Sequence, residues 1–449
     1  MSEPAPKKVY FVSLGCPKNQ VDTEVMLGLV RDRGHVLVDT ADEADTLVVN
    51  TCGFIEEAKE ESIDTILELA QAKARGGGKR LVVAGCLSQR YPHELAKELP
   101  EVDHFLGSAD MLGLDRVLAD DAPRLAITPL SKRSYLYDHT TSRQVTGARH
   151  SAYVKISEGC DRPCAFCIIP KLRGPQRSRS IESLVAETRG LVDAGAREIC
   201  LVAQDLTTYG TDLPERPSFE ALLDALGDID GLRWIRLHYA FPTTVTDGIL
   251  DRLATHPRVA SYIDVPLQHV DTDVLKKMRR GYTEKVVRDL VERLRARPGH
   301  IYLRTTMLVG HPGETEAAFQ RLYDFIEEGE VDHLGVFPWS REEGTPSALL
   351  PGRIDPEIAE ERRLALMELQ EEIRLRKHEA MVGQVLEVLV DGVSEESDLL
   401  LEGRHEGQAP QIDGKVILTD GTGKPGDLRR ARVTQADAND LVATLDLGE

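Results

Sequence analysis

At 449 residues the chain is longer than one hydrophobic core usually grows, so its length calls for two or three domains. It has no apolar run of about 18 residues, which excludes a membrane-spanning helix, and its opening MSEPAPKKVYFVSLGC lacks the apolar centre of a secretory signal, so it reads as cytoplasmic with no membrane partner. A net charge of −20 speaks against a surface built to hold phosphate and suits a basic protein partner better, with plain solubility as the bland alternative.

In chain order, residues 7–120 read as a parallel α/β sandwich. The runs KVYFVSL (8–14), TLVVN (46–50) and RLVVAG (80–85) have the unbroken hydrophobicity of buried parallel strands, and helical patterns near 19–33, 56–74 and 88–98 follow them. Cys16, Cys52 and Cys86 each stand just past one of these strands. Ligand sites in open parallel sheets gather outside the carboxyl ends of the strands, so the three thiols are expected to converge as metal ligands; three small core residues are the alternative.

Residues 121–145 are weakly patterned and read as a linker. From 146 to 382 a second alternation follows. Strand candidates are 152–157, 198–203, 234–239, 261–265, 301–309 and 331–337, with helical patterns between them and a long charged helix at about 356–381. Six βα units imply a partial (βα)6 barrel, since eight would need more chain. Residues 383–449 break into short strands separated by Gly, Asp and Pro, the pattern of a small antiparallel β-barrel. That tail holds 14 acidic and 6 basic residues, a net of −8.

Seven cysteines in a cytosolic chain do not suggest disulfides. Cys160, Cys164 and Cys167 lie in SEGCDRPCAFCIIPKLRG, directly after the first barrel strand and close enough together for one loop to wrap a cluster. Three thiolates on a cubane iron–sulfur cluster leave one iron open, able to bind the amino and carboxylate groups of a ligand such as S-adenosylmethionine. A zinc site would need a second close pair of ligands, and none lies nearby. Other strand ends carry Gln204 and Asp205, then His238 and Tyr239, then Gln268 and His269, then Gly310-His311-Pro312-Gly313-Glu314, whose glycines would let backbone amides approach a ligand. His238 and His269 suit a core equally well, and Gly310 and Gly313 can simply cap a strand. Arg173, Arg177 and Arg179 read as a solvated basic loop, with a role in holding a carboxylate as the alternative, and Cys200 as a buried structural thiol.

The CxxxCxFC pattern resembles the radical S-adenosylmethionine (radical SAM) superfamily. TTMLVGHPGET is similar to its cofactor-contacting strand, and Phe166 to the aromatic residue beside the adenine. SLGCPKNQVDTE, VVNTCGFIEEAKEES, AGCLSQRY, LVAQDLTTYG and VPLQHV extend the resemblance over nearly the whole chain to the methylthiotransferase family, whose C-terminal module is a TRAM domain. The LGCPKN start is similar to the branch that methylthiolates the β-carbon of an aspartate in small-subunit ribosomal protein twelve. Pro17-Lys18-Asn19 departs from the GCQMN-like start usual in the tRNA-modifying branch.

The resemblance implies two 4Fe-4S clusters, one on Cys160, Cys164 and Cys167 that cleaves S-adenosylmethionine to a radical, and one on Cys16, Cys52 and Cys86 that carries the sulfur group. It implies cofactor contacts from Phe166, Gly310, Gly313 and Glu314, to which strand-end position adds Gln204, His238 and Gln268 as candidates, an external electron donor, and a protein substrate met on the ribosome. The acid-rich tail argues separately in the same direction, because a TRAM domain that holds tRNA should carry a basic face. The rivals are a tRNA methylthiotransferase, a radical SAM dehydrogenase or mutase using one cluster as a relay, and a non-catalytic iron–sulfur scaffold on the ribosome.

Overall fold

A computed structural model describes residues 6–132 and 136–445. The first sheet contains β1 (Lys8–Ser13), β2 (Val36–Leu37), β3 (Thr46–Thr51), β4 (Arg80–Gly85), β5 (His104–Gly107) and β6 (Leu125–Ala126), all parallel in the order β2-β1-β3-β4-β5-β6. Val48, Val82 and Ala84 face one layer of helices and Leu47, Val49, Leu81 and Val83 the other, so both faces are dry and the central strands read as unbroken apolar runs. The strands not expected from the sequence, β2, β5 and β6, hold two to four residues and lie towards the sheet's edges. The helix expected at 88–98 is two, Cys86–Arg90 and Pro92–Glu98, because Pro92 cannot continue the hydrogen-bond ladder. The expected linker contains β6 and then lies against both neighbours: Tyr137 is buried, and Arg143 pairs with Glu24 at 2.6 Å and Glu187 at 2.7 Å.

The second sheet starts with β7 (Ser151–Lys155), followed by a separate short pair, β8 (Ser157–Glu158) and β9 (Arg177–Ser178). It continues through β10 (Glu198–Val202), β11 (Trp234–Leu237), β12 (Val259–Asp264), β13 (Tyr302–Val309) and β14 (His333–Pro338). Its order is β14-β13-β12-β11-β10-β7, six parallel strands that stay open, as expected of a partial barrel. Alternate residues such as Val154, Leu201, Leu237, Ile263 and Met307 pack under the outer helices. The opposite face is polar and aromatic: Tyr153, Lys155, Arg236, His238, Tyr262, Asp264 and Arg304.

Two other units close that inner face. The first helix, Pro17–Asp32, sets Val21 and Val25 against Tyr153, Cys200 and Val202. The C-terminal barrel of β15 (Val385–Ser394), β16 (Ser397–His405), β17 (Val416–Leu418), β18 (Leu428–Ala436) and β19 (Leu441–Leu445) covers the amino ends of the strands. It is closed as expected, but β17 and β19 pair in parallel, so it is not wholly antiparallel. No described helix is long and apolar enough to cross a membrane.

Candidate functional site

Each cysteine is delivered by a local device. Gly15, Gly85 and Gly159 immediately precede Cys16, Cys86 and Cys160, and all three adopt the left-handed conformation, with φ of +88°, +102° and +83°. The backbone leaves the preceding strand sharply at these points, which L-residues rarely allow. Space is also closed there: a Cβ on Gly15 would lie 2.9 Å from Cys52 Cβ, and one on Gly159 would lie 2.1 Å from Pro175 O. The repeated Gly-Cys pair is a signal in the sequence that strand-end reasoning alone passes over.

The thiols fall into two groups, all free of disulfides. Burial pushes the Cys52 thiol up to about 12, with Cys86 and Cys16 adding to it. Burial likewise raises Cys167 to about 12 and Cys160 to about 11, and Cys164 adds to both. Cys16, Cys52 and Cys86 thus influence one another, as do Cys160, Cys164 and Cys167. The groups adjoin, since Cys86 packs with Ile168 and Leu172 of the loop that follows Cys167.

Each group has a guanidinium on one sulfur. Arg280 Nη1 donates to Cys164 Sγ at 3.2 Å, and Arg173 Nη2 to Cys86 Sγ at 3.4 Å. The Arg162 amide also donates to Cys160 Sγ at 3.4 Å. All-thiol donor sets with cationic donors on their sulfurs fit iron–sulfur clusters, whose ligands must be thiolates. A zinc ion, with Zn–S bonds of about 2.3 Å, would draw its ligands into contact. Among the described residues no group of three His, Cys, Asp or Glu side chains is arranged to hold a metal ion.

In the basic loop expected to be solvated, Arg173 and Arg179 are instead buried and Arg177 half-buried, and Arg173 carries the charge that ties the two units together through the carboxylates it holds. Arg173 pairs with Asp22 at 2.8 Å and Glu158 at 2.9 Å, and donates to Asn19 Oδ1 at 2.6 Å. Lys155 joins both carboxylates, and Arg179 pairs with Glu187. Burial opposes ionisation of Glu158, but Arg173 and Lys155 hold its carboxyl well below the usual range.

The remaining expected residues are distributed around this centre. Gln204 Nε2 donates to Glu158 at 3.1 Å, tying the second strand end to the lock. Asp205 pairs with Arg162 at 2.6 Å and caps the following turn. Phe166 lies with Leu308 against Val274, Met278 and Ala318. Gln268 is left-handed, with φ of +70°, and is spliced to β13 through Thr306 O at 2.8 Å and the Leu308 amide at 2.7 Å. His238 sits inside the barrel among Tyr153, Tyr239 and Tyr262, and burial with Arg236 nearby lowers it to about 3. His269 Nδ1 accepts from the Asp271 amide at 2.9 Å, and its Nε2 lies 3.8 Å from Glu314.

The glycine loop differs from its expected use. The Gly310 amide donates to the Glu314 carboxylate and the Gly313 amide to Gly352 O at 2.8 Å, so both are engaged within the protein. Gly310 is needed for packing, since a Cβ there would lie 2.5 Å from Ala359 Cβ. Cys200 is buried inside the barrel, as expected of a structural thiol. Arg280 and Arg162 were not anticipated; Arg280 lies on the loop after a helix, with no periodicity to mark it.

At or just after the strands' carboxyl ends, Gln204 Oε1, His238 Nε2, Asp264 Oδ1 and His269 Nε2 are buried without hydrogen-bond partners, while Glu314 Oε1 faces Arg362 Nη1 at 3.4 Å. Unpaired polar atoms in such a cluster are the usual mark of a ligand site.

Comparison with known proteins agrees with this arrangement. Residues 8–107 match the uncharacterized protein family UPF0004, 154–326 the radical SAM superfamily and 382–445 the TRAM domain. A relative from Sorangium cellulosum (strain So ce56), named ribosomal protein uS12 methylthiotransferase RimO, is 51% identical over 98% of this chain and 91% of its own. Relatives of the same name from Myxococcus xanthus (strain DK1622) and Geobacter sulfurreducens (strain ATCC 51573 / DSM 12127 / PCA) are each 47% identical, over 99% and 98% of this chain and 92% and 99% of theirs. Among solved structures, the radical S-adenosylmethionine methyltransferase TsrM from Kitasatospora setae shares the fold, with a TM-score of 0.58 at 15% identity over 77% of this chain and 74% of that one. Full-length identity at this level, with all three modules in order, means that the chain belongs to the RimO family of radical SAM methylthiotransferases, enzymes that use S-adenosylmethionine and a 4Fe-4S cluster.

Proposed function

We propose that this enzyme adds a methylthio group to the β-carbon of an aspartate in ribosomal protein uS12, the small-subunit protein twelve, using two 4Fe-4S clusters and S-adenosylmethionine. Cys160, Cys164 and Cys167 would hold one cluster and Cys16, Cys52 and Cys86 the other. Bound there, the clusters would supply the electron for cofactor cleavage and the site from which sulfur is delivered.

The observation that carries this reading is the meeting of two all-thiol groups across a buried lock of Asp22, Arg173, Glu158 and Lys155. A radical generated at one group has to reach a carbon that the other group can also reach, so their separation must not vary. Interleaved charges buried on both sides fix it, because sliding one sheet on the other would leave ions unpaired. Arg280 and Arg173 stabilise negative charge on the sulfurs they touch. Phe166 and Leu308 form an apolar wall suited to an adenine, with Gln204, Gln268 and Glu314 supplying polar contacts.

On this reading residues 7–120 form the second-cluster domain, 121–145 a linker, 146–382 the radical SAM domain and 383–449 the TRAM domain. The enzyme works in the cytoplasm with an external electron donor and meets its basic substrate on the ribosome. Exposed Arg429, Arg430 and Arg432 on β18 keep tRNA as the alternative substrate. Anaerobic incubation of reconstituted enzyme, reductant and S-adenosylmethionine with uS12 or with tRNA, followed by mass spectrometry, tests it. A methylthio mass gain on an aspartate of uS12 is expected; a gain on tRNA alone would refute the assignment.

A further inference from the structure

Lys18 stands between Cys16 of the first group and the carboxyl ends of the barrel strands, and no carboxylate pairs with it. It is the second residue of the first helix, two past Cys16, and the packing of Val21 and Val25 lowers it into the mouth of the barrel, where it is 8% exposed. Its ammonium donates to Ala203 O at 3.3 Å and lies 3.7 Å from the centre of the Tyr239 ring. Among the described residues no carboxylate comes within 4.0 Å of it. A buried ammonium has three donors to satisfy, and water cannot do so freely at this burial.

The nearest acidic groups lie beyond ion-pair distance of Lys18, although Asp264 keeps Oδ1 unpartnered. Glu158 is held by Lys155 at 2.8 Å and Arg173 at 2.9 Å, and Asp264 accepts from the Tyr239 amide at 3.3 Å. Two further features favour an anion here. The first helix presents its amino end at this point with no acidic residue in its first turn. Tyr239, whose ring carries the ammonium, is held at φ +64°, a conformation that a bulky residue keeps only when its surroundings enforce it. Cys16, Gln204, Tyr239 and Gln268 around it are only partly buried, so the spot is open to a ligand.

We propose that Lys18 anchors the side-chain carboxylate of the residue being modified and thereby selects an acidic target. This rests on the aspartate reading above and deepens it. A carboxylate is one bond from its β-carbon, so fixing the former beside Lys18 sets the latter close to Cys16 at the mouth of the barrel. An asparagine of the same shape brings no charge to the ammonium and is rejected.

The test uses reconstituted holoenzyme and a fluorescent uS12 peptide carrying either aspartate or asparagine at the target position, with binding read by anisotropy. Wild-type enzyme should prefer the aspartate peptide by about tenfold or more. In preparations matched for iron content, Lys18→Met should abolish that preference and Lys18→Arg should keep it. Lys18→Gln gives the same comparison if the methionine variant loads iron poorly. An undiminished aspartate preference in iron-replete Lys18→Met or Lys18→Gln would overturn the anchor alone. Wild-type enzyme that binds neither peptide and modifies only tRNA would instead overturn the substrate reading, and the anchor with it.

Discussion

Replacing Glu198 with glutamine should loosen the C-terminal barrel from the floor of the six-stranded sheet. Glu198 is fully buried and receives Arg236 Nε at 2.7 Å, Arg404 Nη1 at 2.8 Å and Ser151 Oγ at 2.9 Å. Burial alone would raise its carboxyl, but Arg404 and Arg236 outweigh that and hold it at about 2 against an ordinary 4.5. A carboxyl depressed this far contributes about 3 kcal/mol above pH 4.5, lost as the pH falls through about 2. Removing one member of a buried ion cluster costs roughly 3–5 kcal/mol. Arg404 keeps Asp391 at 2.8 Å and Arg236 keeps Glu406 O at 2.6 Å, so the lower figure applies. Trp234 lies in this interface with Tyr262, Leu389 and Ala409, and Trp339 is the other tryptophan, so Trp339→Phe leaves a single reporter. With a urea slope of about 1–3 kcal/mol per molar, Glu198→Gln should lower the Trp234 midpoint by about 1–3 M at pH 7. Coincident midpoints would refute the view that this cluster fastens the domain.

Cys164→Ala should end S-adenosylmethionine cleavage, and residual turnover would sink that assignment; Cys16→Ala should lose thiolation yet still cleave the cofactor, as read by release of deoxyadenosine. Arg280→Met removes the guanidinium donor from Cys164 Sγ, 3.2 Å away, so the potential of the cofactor-cleaving cluster should fall in a redox titration followed by electron paramagnetic resonance. An unchanged or higher potential would show that the contact has no electronic role. Gly159→Ala meets both a left-handed backbone, costing about 1–2 kcal/mol, and Pro175 O at 2.1 Å, so iron content should drop towards that of one cluster; full loading would mean that the loop relaxes freely.

The architecture was legible wherever burial leaves a periodic trace. Both parallel sheets appear in the sequence because their central strands are apolar or alternate strictly, as in β13. The two-residue strands β2 and β6 were not, because two residues carry no period. Strand-end position suggests that Cys16, Cys52 and Cys86 converge, since carboxyl ends of neighbouring parallel strands lie side by side, while close spacing in one loop groups Cys160, Cys164 and Cys167. It failed for Arg173 and Arg179, which a sequence shows as a polar loop; their partners Asp22, Glu158 and Glu187 lie on other elements, and only tertiary contact makes burial tolerable. Arg280 escaped for the same reason.

The tail's charge shows where counting stops being enough. A net of −8 suggests an evenly acidic surface, yet Asp391 faces Arg404 and His150, and Asp413 faces Arg304 and Tyr262, all at the barrel floor. Arg429, Arg430 and Arg432 meanwhile lie exposed on β18. The outward surface is therefore more mixed than the count, and repulsion of phosphate by the tail is weaker than net charge alone suggests. Discrimination is better placed at the opposite end of the barrel. A nucleic-acid backbone is held by a row of cations, each releasing a counterion, whereas one carboxylate can be held by one ammonium. Beside Cys16 at the mouth of the barrel, Lys18 has no carboxylate within ion-pair distance while Arg173 and Lys155 are already paired. That leaves room for a single acidic side chain, which a protein can supply and a phosphate chain with its regular repeat cannot readily match.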